Sequence, residues 1–257
     1  MTIRAIIFDL GGVVLGSPLH AIAAYERELG IPANFVNRVV ADTSPDGAWS
    51  RLERGEISME TFYTDFESDC QAAGQTLSAR TMFEHMAAAT LPRPSMLEAI
   101  RRIRAEGFLT AALTNNWAND DAADHGANHD AKGGDKGSNK GSDKGSDKGT
   151  DKGSDRGTDG AEANAGPSGT NDGTRVLSDR FDVFVESSVE GLRKPDPRIY
   201  TLTCERLGVT PSEAVFLDDI GSNLKAARAL GMTTIKVDRP EQALEELAGV
   251  IGLKLVD

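Results

Sequence analysis

Cysteine is nearly missing from this chain, with two in 257 residues. A disulfide-built domain needs several pairs, and a zinc site needs closely spaced thiols or histidines. Cys70 and Cys204 have no second thiol at ligand spacing, so both are expected as buried or half-buried free thiols. Long apolar runs are missing as well, and none approaches the roughly 18 residues of a membrane span. The opening Met1-Thr-Ile-Arg-Ala-Ile-Ile-Phe-Asp9 meets a carboxylate before a signal-peptide core can form. The expectation is a cytoplasmic protein with no membrane partner. Positive charge is in deficit: 28 Lys and Arg face 40 Asp and Glu, for a formal net charge of -12. Surfaces that hold nucleic acid or anionic lipid carry the opposite balance, so the expected partner is a small molecule and not nucleic acid. Aromatics are few, at 5%, but 39% hydrophobic residues suffice for a sizeable core. Composition leaves the oligomeric state open.

From about Asn119 to Thr174 the composition collapses to Asp, Lys, Gly, Ser, Thr, Asn and Ala, and a four-residue repeat appears in Asp143-Lys-Gly-Ser, Asp147-Lys-Gly-Thr, Asp151-Lys-Gly-Ser and Asp155-Arg-Gly-Thr. Such a segment buries too little apolar surface to offset its ordering entropy, and residues 119–174 are expected as a disordered insertion. Within 135–159 six Asp are matched by five Lys and one Arg, which argues against a nucleic-acid arm. Calcium-binding repeats need a regular apolar position to form a packed coil, and this segment has none.

Elsewhere apolar runs alternate with helical patterns. Strands are expected at Ala5–Phe8, Phe108–Leu113, Phe181–Val185, Ala214–Leu217 and Thr233–Val237. Helices are expected from Pro94 to Glu106, from Pro197 behind the capping residue Asp196, from Ser222 to Leu230, and from Pro240. Thr210-Pro-Ser-Glu213 has the capping-box spacing. This alternation implies an α/β fold, a Rossmann-like parallel sheet flanked by helices. The stretch from Gly16 to Leu91 lacks strands and reads as several helices, including His20–Leu29 and Ser58–Ala73. It is expected to form a helical cap inserted after the first strand. Its aromatics Trp49, Phe62, Tyr63 and Phe66 suit a small core of its own. The expected organisation is a core of residues 1–15, 92–118 and 175–257, a cap of 16–91, and the insertion of 119–174.

The first strand ends on Asp9 and opens into Leu10-Gly11-Gly12-Val13, so a carboxylate stands at the carboxyl end of a buried strand, where parallel sheets bind ligands. The second strand runs into Thr114-Asn115-Asn116, a hydroxyl and backbone N–H groups able to hold a phosphate oxygen. Lys194 precedes Pro195-Asp196-Pro197 and is held in an extended loop, where its ammonium can act as a point charge. Phe216-Leu217-Asp218-Asp219 ends a buried strand on two adjacent carboxylates, which repel unless a cation lies between them. Hard oxygen ligands favour magnesium.

Asp, Thr, Lys and Asp-Asp in this order resemble the haloacid dehalogenase superfamily. The runs Val185–Tyr200 and Phe216–Met232 resemble the branch containing the N-terminal phosphatase domain of soluble epoxide hydrolase and the N-terminal segment of a multi-domain acyl-CoA dehydrogenase, and Trp49 with Leu52–Ile57 suits that branch's cap. The resemblance implies that Asp9 is the nucleophile, attacking phosphorus to give an aspartyl-phosphate. It further implies that Thr114, Asn115 and Lys194 hold the phosphoryl group, and that Asp9, the Gly11 carbonyl and Asp219, with Asp218 beside them, hold Mg2+. The chain departs from that pattern at Gly11, where phosphatases of the family carry a second Asp as general acid and base. General acid–base help is worth about 10²–10⁴-fold, so a slow enzyme is expected. Three readings stay open: a magnesium-dependent phosphatase of a small phosphorylated substrate, a phosphate- or metabolite-binding module with little turnover, and a metal-independent dehalogenase.

Overall fold

The computed structural model describes residues 2–118 and 177–255, so the expected insertion lies outside the described residues. Strand β1 (Ala5–Phe8) is buried at every position, as a strand covered on both faces must be. Six helices follow it: α1 (Pro18–Leu29), α2 (Phe35–Thr43), α3 (Ala48–Glu53), α4 (Met59–Ala72), α5 (Ala79–Ala89) and α6 (Pro94–Ala105). Then come β2 (Leu109–Thr114), β3 (Val183–Glu186), α7 (Ser187–Glu190), α8 (Pro197–Leu207), β4 (Ala214–Asp218), α9 (Gly221–Ala229), β5 (Thr233–Lys236) and α10 (Pro240–Ile251).

The strands form one parallel sheet in the order β3-β2-β1-β4-β5. From β1 the chain builds outward to β2 and β3, then returns to place β4 and β5 on the other side. That reversal opens a crevice at the carboxyl ends of β1 and β4, the usual ligand site of such sheets. Side-chain alternation divides β1 between two cores. Ile6 and Phe8 pack with Met96, Ile100 and Ile103 of α6 and Leu244 and Leu247 of α10. Ala5 and Ile7 face Ile199 and Tyr200 of α8 and Leu224 of α9.

Helices α1 to α5 share a third cluster. Trp49, Phe62, Tyr63 and Phe66 pack on one another and on Phe83, with centroids 5.0–5.9 Å apart. The chain enters and leaves this layer side by side, through Gly16 N–H to Leu91 C=O (2.9 Å) and Arg93 N–H to Val14 C=O (2.9 Å).

Four strands differ from the expected bounds: β4 runs one residue further, to Asp218, and β5 stops one residue sooner, at Lys236. β2 runs one residue later, so Thr114 belongs to the strand. β3 starts at Val183 and not Phe181, because the Asp182 carboxylate takes the Thr110 N–H (2.8 Å) in the ladder's place. The Phe181 ring instead turns onto Phe8, 6.2 Å away. Cys70 and Cys204 are buried and unpaired, and burial pushes their thiols up to about 12 and about 11. Among the described residues no helix is long and apolar enough to cross a membrane.

Candidate active site

Parallel register brings the first carboxylates together. Phe8 pairs with Leu217, and the Asp9 N–H continues that ladder onto the Leu217 carbonyl (2.9 Å). Asp9 therefore stands beside Asp218, the last residue of β4. Asp9, Asp218 and Asp219 each offer a carboxylate oxygen within 4.8 Å of the others.

Lys194 is buried between two of them, its Nζ 2.8 Å from Asp9 Oδ1 and 2.8 Å from Asp218 Oδ2. Burial disfavours an ammonium, but the charges of Asp218 and Asp9 outweigh that cost and raise the lysine's pKa. For Asp9 burial dominates: against the pull of Lys194, and with Asp218 and Asp219 adding repulsion, its carboxyl is pushed up to about 8. Burial, then the charge of Asp218, raises Asp219 to about 6.

The two adjacent carboxylates have different surroundings. Asp218 is fully buried, and its oxygens accept from Ile220 N–H (2.7 Å), Asn223 Nδ2 (3.1 and 3.2 Å) and Lys194. It orients the ammonium. Asp219 is half-buried and packs on the Cα of Gly12, where a Cβ would lie 2.1 Å from Asp219 Oδ2. Gly12 also has φ 79°, so both backbone and space demand glycine there. Gly11 is ordinary by comparison, with φ -63° and ψ 125°, and a Cβ would meet only Pro18, at 3.5 Å. The Arg93 guanidinium steadies this loop by donating to the carbonyls of Gly12 (2.8 Å) and Val13 (3.2 Å).

Thr114 ends β2 at the same edge of the sheet and is buried. Among the described residues none of its hydrogen bonds reaches the carboxylates; its hydroxyl donates to the Asn115 carbonyl (3.4 Å). The Asn115 amide grips Lys194 from both sides, accepting from its N–H (2.8 Å) and donating to its carbonyl (3.1 Å). Sequence reasoning passed over Asn223. Its signal is an amide on the first turn of the helix that follows paired carboxylates, where it can reach back to the first of them. A shallow cleft of about 480 Å³, lined by Arg101, Arg104, Phe108, Leu109 and Asp182, lies at the amino ends of the strands, far from this cluster. The acidic cluster, and not the cleft, is the candidate site.

The family model for haloacid dehalogenase-like hydrolases matches residues 156–231. Acyl-CoA dehydrogenase family member 10 of Mus musculus is 34% identical over 257 residues, covering 98% of this chain and 19% of that protein. Bifunctional epoxide hydrolase 2 of Sus scrofa is 31% identical over 265 residues, covering 100% of this chain and 40% of that protein. The chain thus spans less than half the length of these two relatives. An enzyme of the same fold from Bacteroides thetaiotaomicron, solved with magnesium and inorganic phosphate, superposes with a TM-score of 0.51 at 16% identity, covering 91% of this chain and 93% of that one. With the parallel sheet, the strand-end carboxylates and these relatives in view, the chain has the fold of the haloacid dehalogenase-like hydrolases and matches their family model over residues 156–231.

Proposed function

We propose that the chain is a magnesium-dependent phosphatase of small phosphate monoesters, with Asp9 as nucleophile and residues 16–91 as a cap over a core of 1–15, 92–118 and 175–257. The observation that carries this reading is an imbalance of charge: three acidic side chains lie within 4.8 Å of one another around one ammonium. Burial and repulsion raise the carboxyls of Asp9 and Asp219, and a divalent cation would offset that repulsion. Oxygen-only donors suit magnesium.

Asp9, Asp219 and the Gly11 carbonyl would hold the ion, with Asp218 beside them, and when bound it would offset negative charge on the phosphoryl oxygens. An ammonium has three donors, and Lys194 gives one each to Asp9 and Asp218. The third is left for a phosphoryl oxygen. Thr114 through its hydroxyl and Asn115 through its backbone would complete the cradle. One Asp9 oxygen attacks phosphorus, forming an aspartyl-phosphate as the ester oxygen leaves and takes a proton from water. A second water then cleaves the phosphoryl group from Asp9, releasing inorganic phosphate and restoring the carboxylate. The magnesium and phosphate held by the Bacteroides enzyme support this assignment.

The test is a panel of phosphate esters with and without magnesium, with Asp9→Asn as control. Turnover that survives in Asp9→Asn or under chelation overturns the reading. Gly11, where no acid is available, favours a second reading as a phosphate-binding module. Phosphate binding with no turnover of any ester would select it.

A further inference from the structure

We propose that Glu53, which the α1–α5 layer contributes from the end of α3, is a positioning residue for Lys194. With Arg193 it latches the helical layer onto the sheet. The latch is a matter of geometry alone, while its effect on turnover rests on the phosphatase reading above.

Glu53 is a carboxylate only 6% exposed. One of its oxygens accepts from Trp49 Nε1 (2.9 Å) within its own helix. The other accepts from two groups of the sheet domain, Arg193 Nε (2.5 Å) and Asn115 Nδ2 (3.3 Å). Arg193 also donates to Ser50 Oγ (3.3 Å), one turn before Glu53. The Asn115 amide that reaches Glu53 is the one that clamps the backbone of Lys194, and Arg193 is the residue before it. A chain of polar contacts therefore runs from the helical layer through Asn115 and Arg193 to Lys194, and on to Asp9 and Asp218.

Two features make this contact a latch and not an incidental surface pair. Gly55, just past α3, has φ 68° and lies so close to the Ser188 carbonyl that a Cβ would come within 2.3 Å of it, so the layers meet in close contact. Among the described residues the chain passes between the layers near Gly16 and Leu91, and Glu53 and Arg193 are 140 residues apart. Their contact is non-covalent and can open. Once open, Glu53 would keep only Trp49 as a partner unless water replaced the others. A buried carboxylate without partners is costly, so the closed position is favoured. Closing it completes the set of acceptors that fixes Asn115, and hence the position of Lys194. Aromatic packing of Phe83 on Trp117, 4.8 Å between centroids, lies between the same two layers.

The test uses Glu53→Gln, Arg193→Gln and the double variant in the full chain, with two readouts. Hydrogen exchange needs no turnover: in Glu53→Gln, exchange should quicken about tenfold or more in residues 48–56 and 187–194 together, while β1 and β4 stay as protected as in the wild type. Steady-state kinetics with p-nitrophenyl phosphate and magnesium should show kcat lowered about 10- to 100-fold, the scale of a lost hydrogen bond to a charged group. The double variant should be no slower than the slower single variant, because both act through one path. Faster exchange confined to 48–56 overturns the latch, since Glu53 would then only stabilise α3. Faster exchange on both sides with unchanged kcat overturns the positioning role. If the wild type hydrolyses no ester, the phosphatase reading fails alone and the exchange result still decides the latch. Should Glu53→Gln fail to fold, Arg193→Lys keeps the charge but loses the guanidinium fork, and the same two readouts decide the proposal.

Discussion

Replacing Gly11 by Asp should raise turnover of alkyl phosphates while leaving aryl phosphates almost unchanged. The backbone permits it: φ -63° and ψ 125° are accessible to any L residue, and the new Cβ meets only Pro18 Cδ (3.5 Å) and Cγ (3.6 Å) within 4 Å. Both are ordinary contacts. Losing a glycine at such a site narrows the unfolded ensemble and stabilises by about 0.4–1 kcal/mol, so folding is expected to survive. Position 11 is half-buried and lies against the first residue of α1. A carboxyl there is partly desolvated, which raises its pKa and favours the protonated form that can donate to a leaving oxygen. A well-placed general acid is worth about 10²–10⁴-fold. A grafted acid lacks its supporting contacts, so about 10- to 100-fold is expected for an alkyl ester, or about 1.4–2.8 kcal/mol of barrier. p-Nitrophenolate leaves without a proton, so its rate should change less than about twofold. The assay compares kcat/KM for both ester classes in wild type and variant at saturating magnesium, after melting and metal titration show a folded, metal-competent protein. A folded variant that gains equally on both esters, or on neither, refutes the reading of Gly11 as the place of a missing acid.

The neighbouring glycine should behave in the opposite way. Gly12→Ala forces an L residue to φ 79° and drives its methyl into Asp219, so a loss of at least about 1–2 kcal/mol is expected from the backbone alone, with magnesium affinity lost by calorimetry. Unchanged melting and affinity would contradict the packing of Asp219 on this loop. Asp218→Asn should destabilise by about 3–5 kcal/mol, because it leaves a buried ammonium under-compensated; Asp219→Asn should keep the melting temperature and weaken magnesium binding. Equal melting temperatures for the two variants would refute the different surroundings described for them. Asp9 and Asp219 have raised pKa values, about 8 and about 6, so the metal-free fold retains protons that the unfolded chain releases above about pH 4. Their contribution to stability is therefore greatest at low pH and falls as pH rises from about 4 to 8. Magnesium must displace those protons, so the rise in melting temperature it produces should be larger at pH 8 than at pH 5. A larger rise at pH 5 would exclude these carboxylates as its ligands.

The sheet was legible because its strands carry continuous apolar runs and its helices carry local stop and start signals. Asp196 caps α8 through the Arg198 N–H (2.9 Å), as expected of an Asp before Pro197, and Thr210 N–H donates to Glu213 (2.8 Å) as the capping-box spacing requires. Where a side chain replaced a backbone partner, as Asp182 does at Thr110, the local pattern misplaced the strand start. Helices α2, α3 and α5 were not resolved from sequence as separate elements. They are 9, 6 and 11 residues long, and helices this short are marginal without tertiary packing, which a local pattern does not reveal.

The strand-end acids were legible for a related reason, since topology alone fixes where they go once the sheet is parallel and β1 lies beside β4. What each acid does there depends on contacts between distant parts of the chain. Asp218 and Asp219 are adjacent and chemically identical in sequence. Asp218 still belongs to β4, in step with Asp9, and so faces the lysine that Asn115 holds between them. Asp219 lies one residue beyond the strand, where the chain turns into α9, and its carboxylate rests on a glycine of the β1 loop. One residue of displacement therefore separates an acid that fixes an ammonium from an acid left half-exposed and available to a cation. The same reasoning explains why Glu53 escaped notice: its partners Asn115 and Arg193 stand 62 and 140 residues away, and only the closure of α3 onto the sheet makes a carboxylate in a charged helical run into a buried contact at the lysine's back.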